Sequence, residues 1–149
     1  MPISLFREED WGAWVDIKEN ATDLVKKEIP KARKKGRVSI FMSSSTDPYQ
    51  PVEHKTHLTR GLLEAMIEES PDFLFLQTRS PLVTRDIDLL KQFKNKILVS
   101  MTVETDLESV RKIFAPSAPP INARLKAIQE LRSEGIPVQA AVAPLLPCS

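Results

Sequence analysis

The residues best suited to chemistry in this chain are hydroxyls, carboxylates and one arginine that follow short apolar runs. Ser43-Ser44-Ser45-Thr46-Asp47-Pro48-Tyr49-Gln50-Pro51 comes straight after the β-formers that end at Met42. Phe73-Leu74-Phe75-Leu76 runs into Gln77-Thr78-Arg79-Ser80-Pro81, and Ile97-Leu98-Val99 runs into Ser100-Met101-Thr102-Val103-Glu104-Thr105. Val138-Gln139-Ala140-Ala141-Val142 runs into Ala143-Pro144 in the same way. A buried strand that turns polar and then leads to a helix is how an α/β fold presents a site at the C-terminal edge of its sheet. The repetition predicts one shared pocket. Arg79, a fixed cation at a strand end, suits a carboxylate, which its planar fork can grip bidentately.

Other chemistries have weaker support. His54 and His57 stand beside Glu53, but zinc needs a further protein ligand and none is at sensible spacing, so they read as solvated helix-start residues. The chain has 4 glycines, none clustered, which excludes a Gly-rich phosphate loop. No Ser or Cys nucleophile has local His support. Trp11 and Trp14 read as core or lid packing rather than as stacking platforms for bases. Lys plus Arg total 21 against 20 for Asp plus Glu, so the net charge of +1 gives no support to a nucleic-acid partner. The lysines from Lys26 to Lys35 are spread around Glu28 as a solvated helix face. No apolar run nears the ~20 residues that span a bilayer, and Cys148 is the 1 cysteine. Both features predict a cytoplasmic protein without a membrane partner.

The elements that must position these residues follow from spacing. Strands are expected over residues 38–42, 73–77, 97–101 and 138–142, with a shorter one through Trp14, Val15 and Ile17. Asn20 is a suitable N-cap for a helix over 21–35, with Pro30 predicting a break and Gly36 the stop. Leu62, Leu63, Met66 and Ile67 predict a helix over 58–69, and Ile87, Leu89, Leu90 and Phe93 another after Ser80-Pro81. Thr105-Asp106-Leu107-Glu108 matches a capping box for a short helix ending before Pro116. A longer amphipathic helix is expected over 122–133, closed by Gly135, with Pro137 opening the last strand. The β-α alternation predicts an α/β fold with a parallel sheet and right-handed crossovers. Four strands do not close a barrel; the outer two keep free edges, one sheet face stays poorly covered, and self-association is expected.

Taken in order, these motifs resemble the radical S-adenosylmethionine proteins related to spore photoproduct lyase. The resemblance runs through Asp47-Pro48-Tyr49-Gln50-Pro51 with Glu53, Leu58-Thr59-Arg60, Thr78-Arg79-Ser80-Pro81-Leu82-Val83 and Arg85-Asp86-Ile87-Asp88-Leu89-Leu90. It continues through Val99-Ser100, Glu104-Thr105, Pro116-Ser117-Ala118-Pro119, Arg124-Leu125, Gly135-Ile136-Pro137-Val138 and Ala143-Pro144-Leu145-Leu146-Pro147. It implies part of a (β/α)6 barrel, a single incomplete domain over residues 1–149. It also implies S-adenosylmethionine and a [4Fe–4S] cluster as cofactors, and reductive cleavage to a 5′-deoxyadenosyl radical; a nucleic-acid substrate is a further possibility that the charge leaves unsupported.

By resemblance, Ser45, Thr46, Arg79 and Ser100 are the cofactor-binding residues. Ser45 and Thr46 stand where family members place a hydroxyl near the S-adenosylmethionine carboxylate or amine; satisfying loop amides is the plainer use. Arg79 occupies a position of Lys or Arg, against a surface ion pair with Asp72 or Asp86. Ser100 follows the same logic. Glu104 either accepts from a ligand amine or caps the next helix, and Asp47 and Tyr49 either face the pocket or shape its loop. The departure from the family is in the thiols: three cysteines hold its cluster, whereas this sequence has only Cys148. The sequence therefore reads as an inactive piece of such an enzyme, with a cluster-free scaffold or partner-binding module as the alternative.

Overall fold

Alternation of side chains along the strands sorts the sheet into two unlike faces, and that division positions the site. In the computed structural model, which describes residues 13–43 and 45–146, strands β1 (Ser39–Met42), β2 (Phe73–Thr78), β3 (Ile97–Thr102) and β4 (Val138–Ala141) form one parallel sheet. Their spatial order is their chain order, β1-β2-β3-β4. The register pairs Met42 with Leu76, Gln77 with Ser100, and Ser100 with Gln139, so all C-terminal ends share one edge.

Successive strand residues point to opposite faces. Leu74, Leu76, Ile97, Val99 and Met101 lie on one face and are buried with Leu63, Met66, Leu90, Phe93, Ala127 and Leu131 of the helical layer. Burying a large aliphatic side chain is worth roughly 1.5–3 kcal/mol, so this face holds the fold together. The other face carries Phe41, Phe75, Gln77, Ser100, Thr102 and Gln139. Phe41 and Phe75 meet edge to face at 5.2 Å, and Phe41 remains 54% exposed. The poorly covered face expected from four strands is present only toward β1, since Ser100 and Thr102 of β3 are buried on the same face.

The helices are α1 (Ala21–Arg33), α2 (Glu53–Thr56), α3 (Leu58–Glu68), α4 (Ile87–Leu90), α5 (Glu108–Phe114) and α6 (Ile121–Ser133). Gly36 (φ +146) and Gly135 (φ +77) follow α1 and α6 in left-handed backbone that a Cβ disfavours, as their stop role requires. No helix among the described residues is long and apolar enough to cross a membrane.

Four local expectations need correction. Residues 14–18 form no strand: they stand outside the four-stranded sheet, and Val15 and Ile17 are exposed. Pro30 does not end α1, because only one turn follows it and the buried Ile29 anchors that turn. The helix expected after Pro81 is broken into 3₁₀ turns over Pro81–Asp86 and Lys91–Lys96 around the single α-helical turn of α4, with Lys94 at φ 53. Finally, there is no capping box. α5 begins at Glu108 itself, too early for its carboxylate to reach back, so Thr105 Oγ1 accepts from the Leu107 amide while Glu108 accepts from the Ile121 amide.

Candidate functional site

The strand ends of β1, β2 and β3 open into a cleft of about 240 Å³ lined by Ser43, Ser45, Thr46, Asp47, Gln77, Thr78, Arg79 and Thr102. Asp47 ties its walls together. Its Oδ1 accepts from the Tyr49 amide at 2.8 Å and from Thr78 Oγ1 at 2.7 Å, and its Oδ2 accepts from the Arg79 amide at 2.7 Å. Thr78 Oγ1 in turn accepts from the Ser80 amide. An Asx turn after β1 therefore docks on the end of β2, and the hydroxyls of Ser45 and Thr46 on the cleft wall take no hydrogen bond from the described residues.

Arg79 is half exposed on the rim. Its Nε lies 2.9 Å from Glu104 Oε1, just past the end of β3. Glu104 is buried, and its other oxygen accepts from Arg124 Nη1 at 2.6 Å; the same Nη1 donates to the Thr102 carbonyl at 2.8 Å. Burial alone raises the Glu104 carboxyl, but the Arg124 hydrogen bond, a backbone hydrogen bond and the Arg124 and Arg79 charges hold it below the ordinary carboxylate value.

Below the loop lies a second polar cluster. Asp86 is fully buried and accepts from Tyr49 Oη (3.1 Å), Arg60 Nη1 (3.0 Å), Arg85 Nε (2.9 Å) and Arg85 Nη2 (2.7 Å). Arg85 Nη2 also reaches Glu53 Oε1 at 2.8 Å, and Glu53 Oε2 accepts from the Thr59 amide at 3.0 Å. Burial, reinforced by the Asp86 charge and hydrogen bond, pushes the Tyr49 hydroxyl above its ordinary range. The cluster fixes Tyr49, and through it the turn that carries Asp47.

The family model described as "Radical SAM superfamily" matches residues 6–147. The chain belongs to the radical SAM superfamily. Among curated relatives, the uncharacterized protein ORF301 of Acidianus two-tailed virus is 36% identical over 92% of this chain and 44% of its own length. The uncharacterized protein MJ0683 of Methanocaldococcus jannaschii is 35% identical over 92% of this chain and 49% of its own. The chain thus spans about half the length of the curated relatives it matches. Among solved structures, spore photoproduct lyase complexed with dinucleoside spore photoproduct superposes with a TM-score of 0.65 at 20% identity, covering 83% of this chain and 36% of that one. Tagged anSMEcpe with bound AdoMet gives 0.57 at 14% identity, covering 91% and 35%. These likenesses show the fold, an α/β parallel sheet with flanking helices matching that of radical SAM structures.

The superfamily implies S-adenosylmethionine and a [4Fe–4S] cluster, and the donor set of this radical SAM chain meets them unequally. The cleft offers hydroxyls, a side-chain amide and a guanidinium, which fit the polar groups of the nucleoside. Among the described residues no sulfur lines it and no group of three or more His, Cys, Asp or Glu could hold a metal ion, and Cys148 lies outside them. The residues present do not fit the cluster.

The expected site residues are only partly brought together. Ser45, Thr46 and Arg79 share the cleft, but Ser100 does not reach its lining. It sits inside β3, buried, accepting from Gln139 Nε2 at 3.2 Å. The strand is longer than the sequence suggested, and Thr102, two residues on and on the same face, takes the place at the end. Arg79 pairs with neither Asp72 nor Asp86; Asp72 accepts instead from the Val38 amide. Glu104 caps nothing. The Asp47 carboxylate has three donors already, and the Tyr49 ring is core. Trp11 and Ser44 lie outside the described residues. Arg124 enters the sequence reading only within the Arg124-Leu125 motif and without a role, although its spacing from Ile121, Ala127 and Leu131 places it on the buried stripe of α6.

Proposed function

We propose that this chain supplies the nucleoside-side wall of a radical SAM enzyme akin to spore photoproduct lyase, with Arg79 gripping the carboxylate of S-adenosylmethionine and Ser45 and Thr46 meeting its polar groups. In this reading Ser100 acts from beneath, through the side-chain layer that it shares with Gln77 and Gln139. The observation that carries the proposal is the cleft at the shared strand edge, where Arg79 stands beside two hydroxyls that have no hydrogen-bond partner among the described residues. Electrostatic and hydrogen-bonding grip of that kind suits a small zwitterionic ligand better than an extended polyanion, consistent with the +1 net charge.

The reductive cleavage that the superfamily implies would need an electron from a [4Fe–4S] cluster, which the described residues do not hold. The sequence given contains one cysteine, so in this account the chain alone binds the nucleoside weakly and does not cleave it. A reducing, cytoplasmic setting fits that thiol. Backbone NMR during titration with S-adenosylmethionine tests the proposal. Shifts confined to the amides of Ser45, Thr46, Arg79 and the ends of β2 and β3 are expected. Shifts on the helical layer, or none at millimolar ligand, would overturn it.

A further inference from the structure

Stability does not account for the ion pair buried beneath the end of β3. Arg124 has no exposed surface and Glu104 almost none, yet Nε and Nη2 of the arginine and Oε1 of the glutamate have no hydrogen-bond partner. A buried pair is often no better for stability than two well-packed apolar side chains, and atoms left unsatisfied make it worse. Each such atom calls for a reason other than packing. What the pair touches supplies one. Glu104 Oε1 is 2.9 Å from Arg79 Nε, a close ion pair whose alignment falls short of a hydrogen bond, and Arg79 is the cation lining the cleft.

We propose that Glu104 and Arg124 are positioning residues for Arg79, fixing its guanidinium for a ligand carboxylate. The inference rests on the reading of Arg79 as the carboxylate grip. Arg124 Nη1 bridges the Thr102 carbonyl and Glu104 Oε2, so the carboxylate is tied to the backbone of β3 and cannot turn freely. Its remaining oxygen faces Arg79. A guanidinium held at Nε keeps its two outer nitrogens for a partner in front, which is the fork that a carboxylate matches bidentately. Arg79 is otherwise a long, half-exposed side chain whose rotamer freedom would be lost on binding. Holding it in advance removes part of that cost. The arrangement discriminates ligands by their carboxylate and leaves the rest of the nucleoside untouched.

The test compares S-adenosylmethionine with its decarboxylated analogue, which keeps the sulfonium and the amine, in NMR titrations of the full chain. Wild type should prefer the carboxylate-bearing ligand about tenfold, the usual worth of one charge-assisted contact. Glu104→Gln, which frees Arg79, and Arg124→Met, which leaves Glu104 to close onto it, should both bring that preference near unity, as Arg79→Ala does. Affinity for the decarboxylated analogue should stay within twofold, which a merely structural loss would not allow. Retention of the wild-type preference in Glu104→Gln, with Arg79→Ala abolishing it, would overturn the positioning role. If wild type shows no preference, the reading of Arg79 fails instead, and the mobility of the Arg79 Nε–H vector, read by ¹⁵N relaxation, decides the inference by itself. A restricted vector that becomes mobile in Glu104→Gln supports it; equal mobility in both proteins refutes it. Glu104→Gln keeps the size of the side chain, so the comparison survives even if Arg124→Met does not fold.

Discussion

Asp86→Asn probes the support beneath the site most sharply. The carboxylate is fully buried and takes four hydrogen bonds from Tyr49, Arg60 and Arg85. An amide of the same shape keeps one acceptor oxygen and turns an NH₂ toward donors, so about two charged hydrogen bonds are lost. Bonds to charged groups are worth ~1.5–3 kcal/mol each. The low end applies, since Arg60 keeps Asp88 at 2.7 Å, Arg85 keeps Glu53 at 2.8 Å, and both arginines reach water. The expected loss is therefore about 3 kcal/mol, at the lower limit for breaking a buried ion pair. For a chain of this size that lowers Tm by roughly 6–12 °C. Urea unfolding followed by circular dichroism measures it, with the midpoint falling and the slope unchanged. A loss below about 1 kcal/mol would show that the cluster is solvated and does not hold the Tyr49 turn.

Three further outcomes are expected. Glu104 and Glu108 sit below the ordinary glutamate value of 4.5, and Asp72 and Asp88 below 3.8: burial at Glu104 is outweighed by Arg124, the Ile121 amide and Arg111 hold Glu108, the Val38 amide holds Asp72, and Arg60 holds Asp88. Depressed carboxyls contribute stability above their unfolded values and lose it as pH falls through the folded ones. Acid titration by circular dichroism should therefore show stability level above about pH 5 and declining below pH 4.5; a rise on acidification would contradict the assignments. Anaerobic incubation with iron and sulfide should leave the chain without broad absorbance near 400 nm, and about four irons per chain would disprove the misfit of the cluster. Sedimentation velocity at micromolar concentration should show self-association, because among the described residues β1 and β4 each pair on one side only, and Phe41 and Val142 are more than half exposed. A clean monomer would show that the open face and edges are tolerated.

The parallel sheet was legible because each apolar run ends in polar residues, and the chain order of the strands follows from short crossovers. The two faces were legible too: Phe73-Leu74-Phe75-Leu76-Gln77-Thr78 alternates between the open face and the helical layer. The site was legible only in part, since adjacency along the sequence does not encode partners across it. Thr105-Asp106-Leu107-Glu108 has the letters of a capping box, but the helix starts at Glu108 and the match is accidental. Glu104 reads as a loop carboxylate until Arg124 is seen beneath it, 20 residues on. Arg85-Asp86-Ile87-Asp88 looks like the polar side of a helix, whereas the 3₁₀ turn over Pro81–Asp86 rotates Asp86 into the core. Ser100 and Thr102 differ only by strand length, a boundary that propensity sets loosely.

Calorimetric titration of S-adenosylmethionine into the wild-type chain and into Arg79→Ala tests the central claim most directly. Without cluster iron to chelate the amino and carboxylate groups, a guanidinium and a few hydroxyls give a dissociation constant well above about 1 µM, short of about −8.2 kcal/mol. The account predicts weak saturable binding that Arg79→Ala reduces at least tenfold. Binding tighter than 1 µM, or binding indifferent to Arg79→Ala, would contradict it.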